Sequence, residues 1–268
     1  MKRLRDAVYG FAVGDALGVP FEFKSRGSFE CCGMIGGGTW GEPDGTWSDD
    51  TSMLIATMDS IRVMGCIEPE DMMLRYRNWY ERAEYTCNGD VFDIGMTTRS
   101  AIKRYMDGVP AILCGASDER SNGNGSLMRI LPLAFTAASD EEINAVSALT
   151  HAHDLSKLCC RQYVAVARHL LETGELPQEW TERMRNTQRE AVRSTGFVLD
   201  SLTAAIWCIV HTDCYEQAVL TAVNLGEDTD TIGALTGGLA GILYGYEDIP
   251  EEWLGRLRNR AAIEACMF

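Results

Sequence analysis

The sequence predicts an all-α protein. Apolar residues recur at helical spacing almost throughout, no segment sustains the apolar/polar alternation of a strand, and clusters of β-branched residues are missing. Roughly a dozen helices with short connections are expected, in one domain spanning residues 1–268 with little or no sheet.

In chain order, Leu4, Ala7, Val8, Phe11 and Ala12 keep i, i+3, i+4, i+7 spacing and define the first helix. It runs into Gly18 and Pro20 and leaves Glu22 just past its end. Residues 33–47, GMIGGGTWGEPDGTW, hold six glycines and one proline and read as irregular, either a surface loop or a loop beside a site. Ser48 is a natural N-cap for the next helix, carried by Met53, Leu54, Thr57, Met58 and Ile61. The helical period returns over 68–86, 96–107 with Asp93 at its N-cap, 127–138, 140–152, 155–173, 198–211, 214–224, 231–244 and 250–265. There is no internal repeat and no interdomain linker.

Composition narrows the function. Apolar residues make up 46% and charged residues 24%, as in a globular protein, and no apolar run approaches the ~18 residues of a membrane span. The start, MKRLRDAVYG, is interrupted by Asp6 and Asp15 and does not read as a signal peptide. A net charge of −15 repels nucleic acid and anionic membranes and suits divalent cations. An anionic small ligand stays compatible if metals or backbone N–H groups hold it. The ten cysteines include no C-x-x-C pair and are expected to be reduced, in the cytoplasm.

Two acidic clusters stand out. W47-S48-D49-D50-T51 and G226-E227-D228-T229-D230-T231 each precede a helix, where acids meet the positive end of the dipole. Singly, each is explained by capping, with Asp228 or Asp230 capping the second helix. Asp49 and Asp50 sit about 100° apart around a helix, so one cap can use only one of them. Together the clusters supply carboxylates and hydroxyls, the hard oxygens that magnesium or manganese prefers, in number enough to bridge two ions. The glycines of G233-A-L-T-G-G-L-A-G241 suit close helix packing behind such a site, with Glu227 a bystander.

Between the clusters, SNGNGSLMR (121–129) combines glycines with a predicted helix N-terminus, which describes either an anion cradle or an ordinary turn. In T150-H151-A152-H153, histidines at i and i+2 of a helix point to nearly opposite sides, so zinc is not expected. A single histidine lining a pocket and a capping or buried histidine both remain readings.

The order GDALG-VPFE, W-SDDT, D-x-G-x-TT, GNG-S-x-MR, THxH and GEDTDT-IGAL resembles the ADP-ribosylglycohydrolase family over residues 6 to about 245. The likeness is to the branch of the dinitrogenase reductase-activating glycohydrolases and ADP-ribosylarginine hydrolases. It implies a compact orthogonal multi-helix bundle with a binuclear magnesium or manganese centre held by Ser48, Asp49, Asp50, Asp228, Asp230 and Thr231. It further implies that Glu22 handles the attacking water and that Asp93 faces the scissile ribose–guanidinium region. Gly123, Asn124, Gly125 and Ser126 would hold the diphosphate and distal ribose, and His151 would line the nucleotide pocket. The activity implied is hydrolysis of ADP-ribose from modified protein arginine. Serine-linked or small-molecule conjugates, or a non-catalytic ADP-ribose binder, are the alternatives. Partners would be ADP-ribosylated protein and ADP-ribose, with no nucleic acid or membrane, and a monomer is expected.

Overall fold

A computed structural model describes residues 2–268. Among them the regular structure is helical: α1 (Lys2–Gly18), α2 (Asp49–Met64), α3 (Pro69–Arg82), α4 (Met96–Met106), α5 (Asp140–Ala148), α6 (Asp154–Thr173), α7 (Gln178–Arg185), α8 (Val198–Val210), α9 (Tyr215–Val223), α10 (Thr229–Tyr244), α11 (Glu251–Arg256) and α12 (Arg260–Ala265). Short 3-10 turns join several of these. The described residues hold three isolated β-bridges and no strand. No helix among them is long and apolar enough to cross a membrane.

Three expectations need correction. Residues 127–138 form turns and a 3-10 segment (Leu131–Phe135), because Pro132 lacks an amide donor and disfavours the α conformation in Leu131. The segment 250–265 is two helices. Leu257 is extended (φ −59°, ψ 121°) and Asn259 left-handed, and the Arg258 amide donates to Gly45 O at 3.0 Å while its carbonyl accepts from Trp47 Nε1 at 3.0 Å. Helix α7, with Trp180 and Met184 buried one turn apart, was not anticipated.

The described chain falls into two compact units. The first comprises residues 1–47, 166–196 and 200–258. Its centre is the pair α1 and α10, packed backbone to backbone through glycines. A Cβ on Gly14 would lie 2.6 Å from Gly233 C, and one on Gly10 would lie 3.1 Å from Gly241 Cα. On Gly18 it would fall on the Asp230 backbone. Close approach of this kind is what an absent side chain permits. Tyr215, buried on α9, donates its hydroxyl to Gly10 O at 2.6 Å, and Thr229 Oγ1 donates to Gly18 O at 2.8 Å.

The second unit comprises 48–165, 197–199 and 259–268. Here α2 packs on α3 and α3 on α4. Thr57 of α2 and Tyr76 of α3 share a buried hydrogen bond of 2.5 Å. Asp59 gathers Arg62 at 2.6 Å and Tyr85 at 2.9 Å and also pairs with Arg75.

Candidate metal and substrate site

In the first unit, the α1–α10 contact fixes where the acids stand. Asp15 follows Gly14 and Asp230 precedes Gly233 by less than one turn, so the glycine seam that draws the backbones together also sets these side chains. Both are fully buried. Asp228 occupies the N-cap position of α10 but its side chain makes no capping bond, and Asp230 lies in the first turn rather than at the cap. Thr231 is buried, Asp228 half-buried and Glu227 exposed.

The acidic loop is held from below. The Asp228 amide donates to Ser194 O at 3.0 Å, and a Cβ on Gly196 would lie 3.1 Å from Asp228 Oδ2. Arg26 fastens that layer: its guanidinium donates to Leu225 O (2.7 Å), Arg189 O (2.8 Å) and Val192 O (2.6 Å) and reaches Ser194 Oγ (3.2 Å). Glu227 and Phe23, both left-handed (φ 65° and 64°), are joined by Phe23 N–H donating to Glu227 O at 2.7 Å. Bulky residues held in that region store backbone strain, which structures retain mostly at functional sites. Glu22, immediately before, is buried, and one carboxylate oxygen accepts from Trp40 Nε1 at 2.5 Å.

In the second unit, Ser48 caps α2 as expected, its hydroxyl accepting from the Asp50 amide at 3.2 Å. Asp49 and Asp50 fall in the first turn, and all three are buried. Asp93 departs from the expectation. Gly95 takes the cap position of α4, and Asp93 sits two residues earlier, half-buried and left-handed (φ 59°).

The Gly123–Ser126 stretch opens no helix. It forms a single turn, with Leu127 N donating to Asn124 O at 2.7 Å and Met128 N at 3.1 Å. The helix dipole invoked for an anion cradle is therefore absent there, and a buried cation stands in its place. Arg129, fully buried, donates to Gly125 O (2.6 Å), Val146 O (3.2 Å) and Thr150 Oγ1 (2.8 Å) and lies over the Tyr76 ring at 4.8 Å. Gly125 must be glycine, since a Cβ would lie 2.9 Å from both His151 Cε1 and Thr98 Oγ1.

His151 is buried after the end of α5 and pairs its backbone with Ala116. Burial first, then the neighbouring Arg129 charge, lowers its pKa to about 3, so the imidazole is neutral. Arg129 can only donate, so Thr150 Oγ1 accepts from it and turns its own hydrogen to His151 Nδ1, 2.7 Å away. The imidazole hydrogen then resides on Nε2. His153 is also off the helix, its Nδ1 accepting from Leu155 N at 3.1 Å at the start of α6.

Two groups of acids are candidates to hold a metal ion: Asp15 with Asp50 and Asp230, and Glu22 with Asp93 and Asp230. Asp15, Trp40, Arg26 and Arg129 were not picked out by sequence reasoning. For Asp15 a signal existed, an acid in the middle of an otherwise apolar helix.

Over residues 1–267 the chain matches the ADP-ribosylglycohydrolase family. It is 30% identical over 283 residues to a Serratia proteamaculans (strain 568) protein named ADP-ribosylarginine hydrolase Tri1, covering 98% of this chain and 77% of that one. It is 30% identical over 273 residues to the ADP-ribosyl-[dinitrogen reductase] glycohydrolase of Rhodospirillum rubrum, covering 95% and 90%. A solved structure titled ADP-ribosylglycohydrolase-related protein complex superposes with a TM-score of 0.80 at 31% identity, covering 99% of this chain and 95% of that one.

Proposed function

Because this chain belongs to the ADP-ribosylglycohydrolase family, we propose that it is a metal-dependent hydrolase removing ADP-ribose from modified protein side chains, arginine above all. The observation that carries the reading is the set of buried acids, Asp15, Asp49, Asp50 and Asp230, in a chain of this family. Buried carboxylates and hydroxyls are the donors that Mg2+ and Mn2+ prefer, and a net charge of −15 favours such ions further. Ser48, Asp49, Asp50, Asp228, Asp230 and Thr231 would hold two of them, with Asp15 as a further donor. When bound, such ions supply Lewis acidity toward the ribose hydroxyls and toward water.

The chain's own groups do the rest. Glu22, shielded from solvent, takes the proton of the attacking water, and the Trp40 N–H stabilises its charged form. Cleavage of the ribosyl bond passes through an oxocarbenium-like state, as in glycoside hydrolysis generally. Asp93 orients the departing guanidine, which favours arginine over serine as acceptor. That preference is supported by the arginine hydrolase name of a 30% identical relative. Gly123, Asn124, Gly125 and Ser126 bind the diphosphate and distal ribose in the field of buried Arg129. His151 offers a fixed Nε2–H donor to the nucleotide pocket. We further take residues 1–268 to act as one domain, as a monomer in the cytoplasm.

The test is release of ADP-ribose from arginine-modified protein with Mg2+, Mn2+ or chelator, run beside a serine-linked substrate. Release from arginine only with metal, lost in Asp50→Ala and Asp230→Ala, supports the reading. Full release by either variant removes the metal assignment. Preferential release from serine removes the acceptor assignment, and binding without release in any metal favours a non-catalytic binder.

A further inference from the structure

The glycine-rich segment is tied to Glu22 by three bonds. Gly37 N donates to Glu42 O at 2.6 Å and closes a tight turn whose Gly37, Gly38 and Gly41 all have positive φ (83°, 68° and 72°). The turn lies against the end of α1. A Cβ on Gly38 would sit 2.5 Å from both Pro20 C and Pro20 Cα. Thr39 N donates to Pro20 O at 3.2 Å, and Thr39 Oγ1 donates to Glu22 O at 2.6 Å. Beyond these backbone anchors, Trp40 Nε1 donates to Glu22 Oε2 at 2.5 Å.

That last bond differs in kind from the others. An indole N–H is a donor only and keeps its proton, so it can hold a carboxylate oxygen but never compete for the proton that Glu22 handles. A hydrogen bond to a charged acceptor is also among the stronger kinds. Trp40 is half-exposed at the tip of a turn, its ring beside the exposed ring of Phe23 with centroids 6.3 Å apart, so core packing does not account for a tryptophan here.

We propose that Trp40 is a positioning residue that fixes the Glu22 carboxylate for water activation, and that the loop of residues 33–47 exists in part to deliver it. This rests on the reading of Glu22 given above. The variant Trp40→Phe keeps a ring beside Phe23 and removes only the donor. It should lower kcat roughly 10- to 100-fold, the scale of one charge-assisted hydrogen bond. KM should stay within about threefold, as expected of a residue acting only on the chemical step. Manganese affinity by titration and Tm should match the wild type. In a Glu22→Gln background Trp40→Phe should cost nothing further, and Trp40→His, which retains a ring N–H, should recover part of kcat.

Gly38→Ala, which pushes the turn off Pro20 while leaving the tryptophan in place, should reproduce the kcat loss with the same non-additivity. Wild-type kcat in Trp40→Phe, with Glu22→Gln impaired, overturns the inference and leaves the reading of Glu22 standing. Additive losses in the double variant, or a fall in Tm that accounts for the lost activity, overturn it as well. Wild-type kcat in Glu22→Gln removes the reading of Glu22 itself and the inference with it.

Discussion

Gly14→Ala tests whether the α1–α10 seam sets the acids. The added Cβ would lie 2.6 Å from Gly233 C, closer still to its carbonyl oxygen, and 3.1 Å from Ala234 N, where ordinary contact begins at 3.4 Å. Every obstructing atom is backbone, so no rotamer change relieves the overlap, and the helices must part by about 1 Å locally. Alanine's better helix propensity returns at most about 1 kcal/mol. Overpacking a close contact costs about 1–3 kcal/mol, and more where backbone must move. Steric cost therefore wins, by about 2 kcal/mol, which for a chain of this size lowers Tm by roughly 4–8 °C. Because Gly14 adjoins Asp15 and Gly233 follows Asp230, the same displacement should weaken Mn2+ binding about tenfold, about 1.4 kcal/mol at the site. Calorimetry with and without Mn2+, beside a Mn2+ titration, measures both effects. Gly255→Ala, which meets nothing within 4 Å, is the control and should be neutral. Wild-type Tm and wild-type Mn2+ affinity in Gly14→Ala would refute the reasoning.

Further predictions concern the supports of the site. Arg26→Met leaves the Leu225, Val192 and Arg189 carbonyls without their donor, and should cost about 1–3 kcal/mol in urea denaturation while weakening Mn2+ binding through the Asp228 loop. His151, lowered to about 3 in the fold from 6.5 unfolded, contributes stability that is whole above about pH 6.5 and lost progressively as pH falls toward 3. Its share of that loss at pH 5 is about 2 kcal/mol, so His151→Gln should flatten the acid limb of the stability profile between those values, measured by denaturation at each pH. If divalent ions bind only the folded chain, Mn2+ at 100 times its Kd should stabilise it by about 2.7 kcal/mol, seen as a dose-dependent rise in Tm that EDTA reverses.

Helical periodicity is a local property, so the helices over 2–18, 49–64, 69–82, 154–173 and 229–244 were legible to within a few residues. The Ser48 cap was legible for the same reason, since a cap reads only its own first turn. The two acidic motifs were legible as chemistry because their residue types are unusual beside so much apolar sequence. What stayed hidden was non-local. Asp15 gives no helical signal that separates a ligand from an amphipathic irregularity, and only its burial against α10 does so. Residues 127–138 kept helical spacing, yet Pro132 and the buried Arg129 guanidinium imposed turns on them. The indole of Trp40 lies 18 positions from Glu22 along the chain, and no periodicity links them. Gly10 and Gly14 meet Gly237 and Gly233 from opposite ends of the sequence. The chain by itself determined which residues are helical and which types of donor it carries. Only the tertiary structure decided which donors are buried and what holds them, because burial and contact depend on partners that local sequence does not encode.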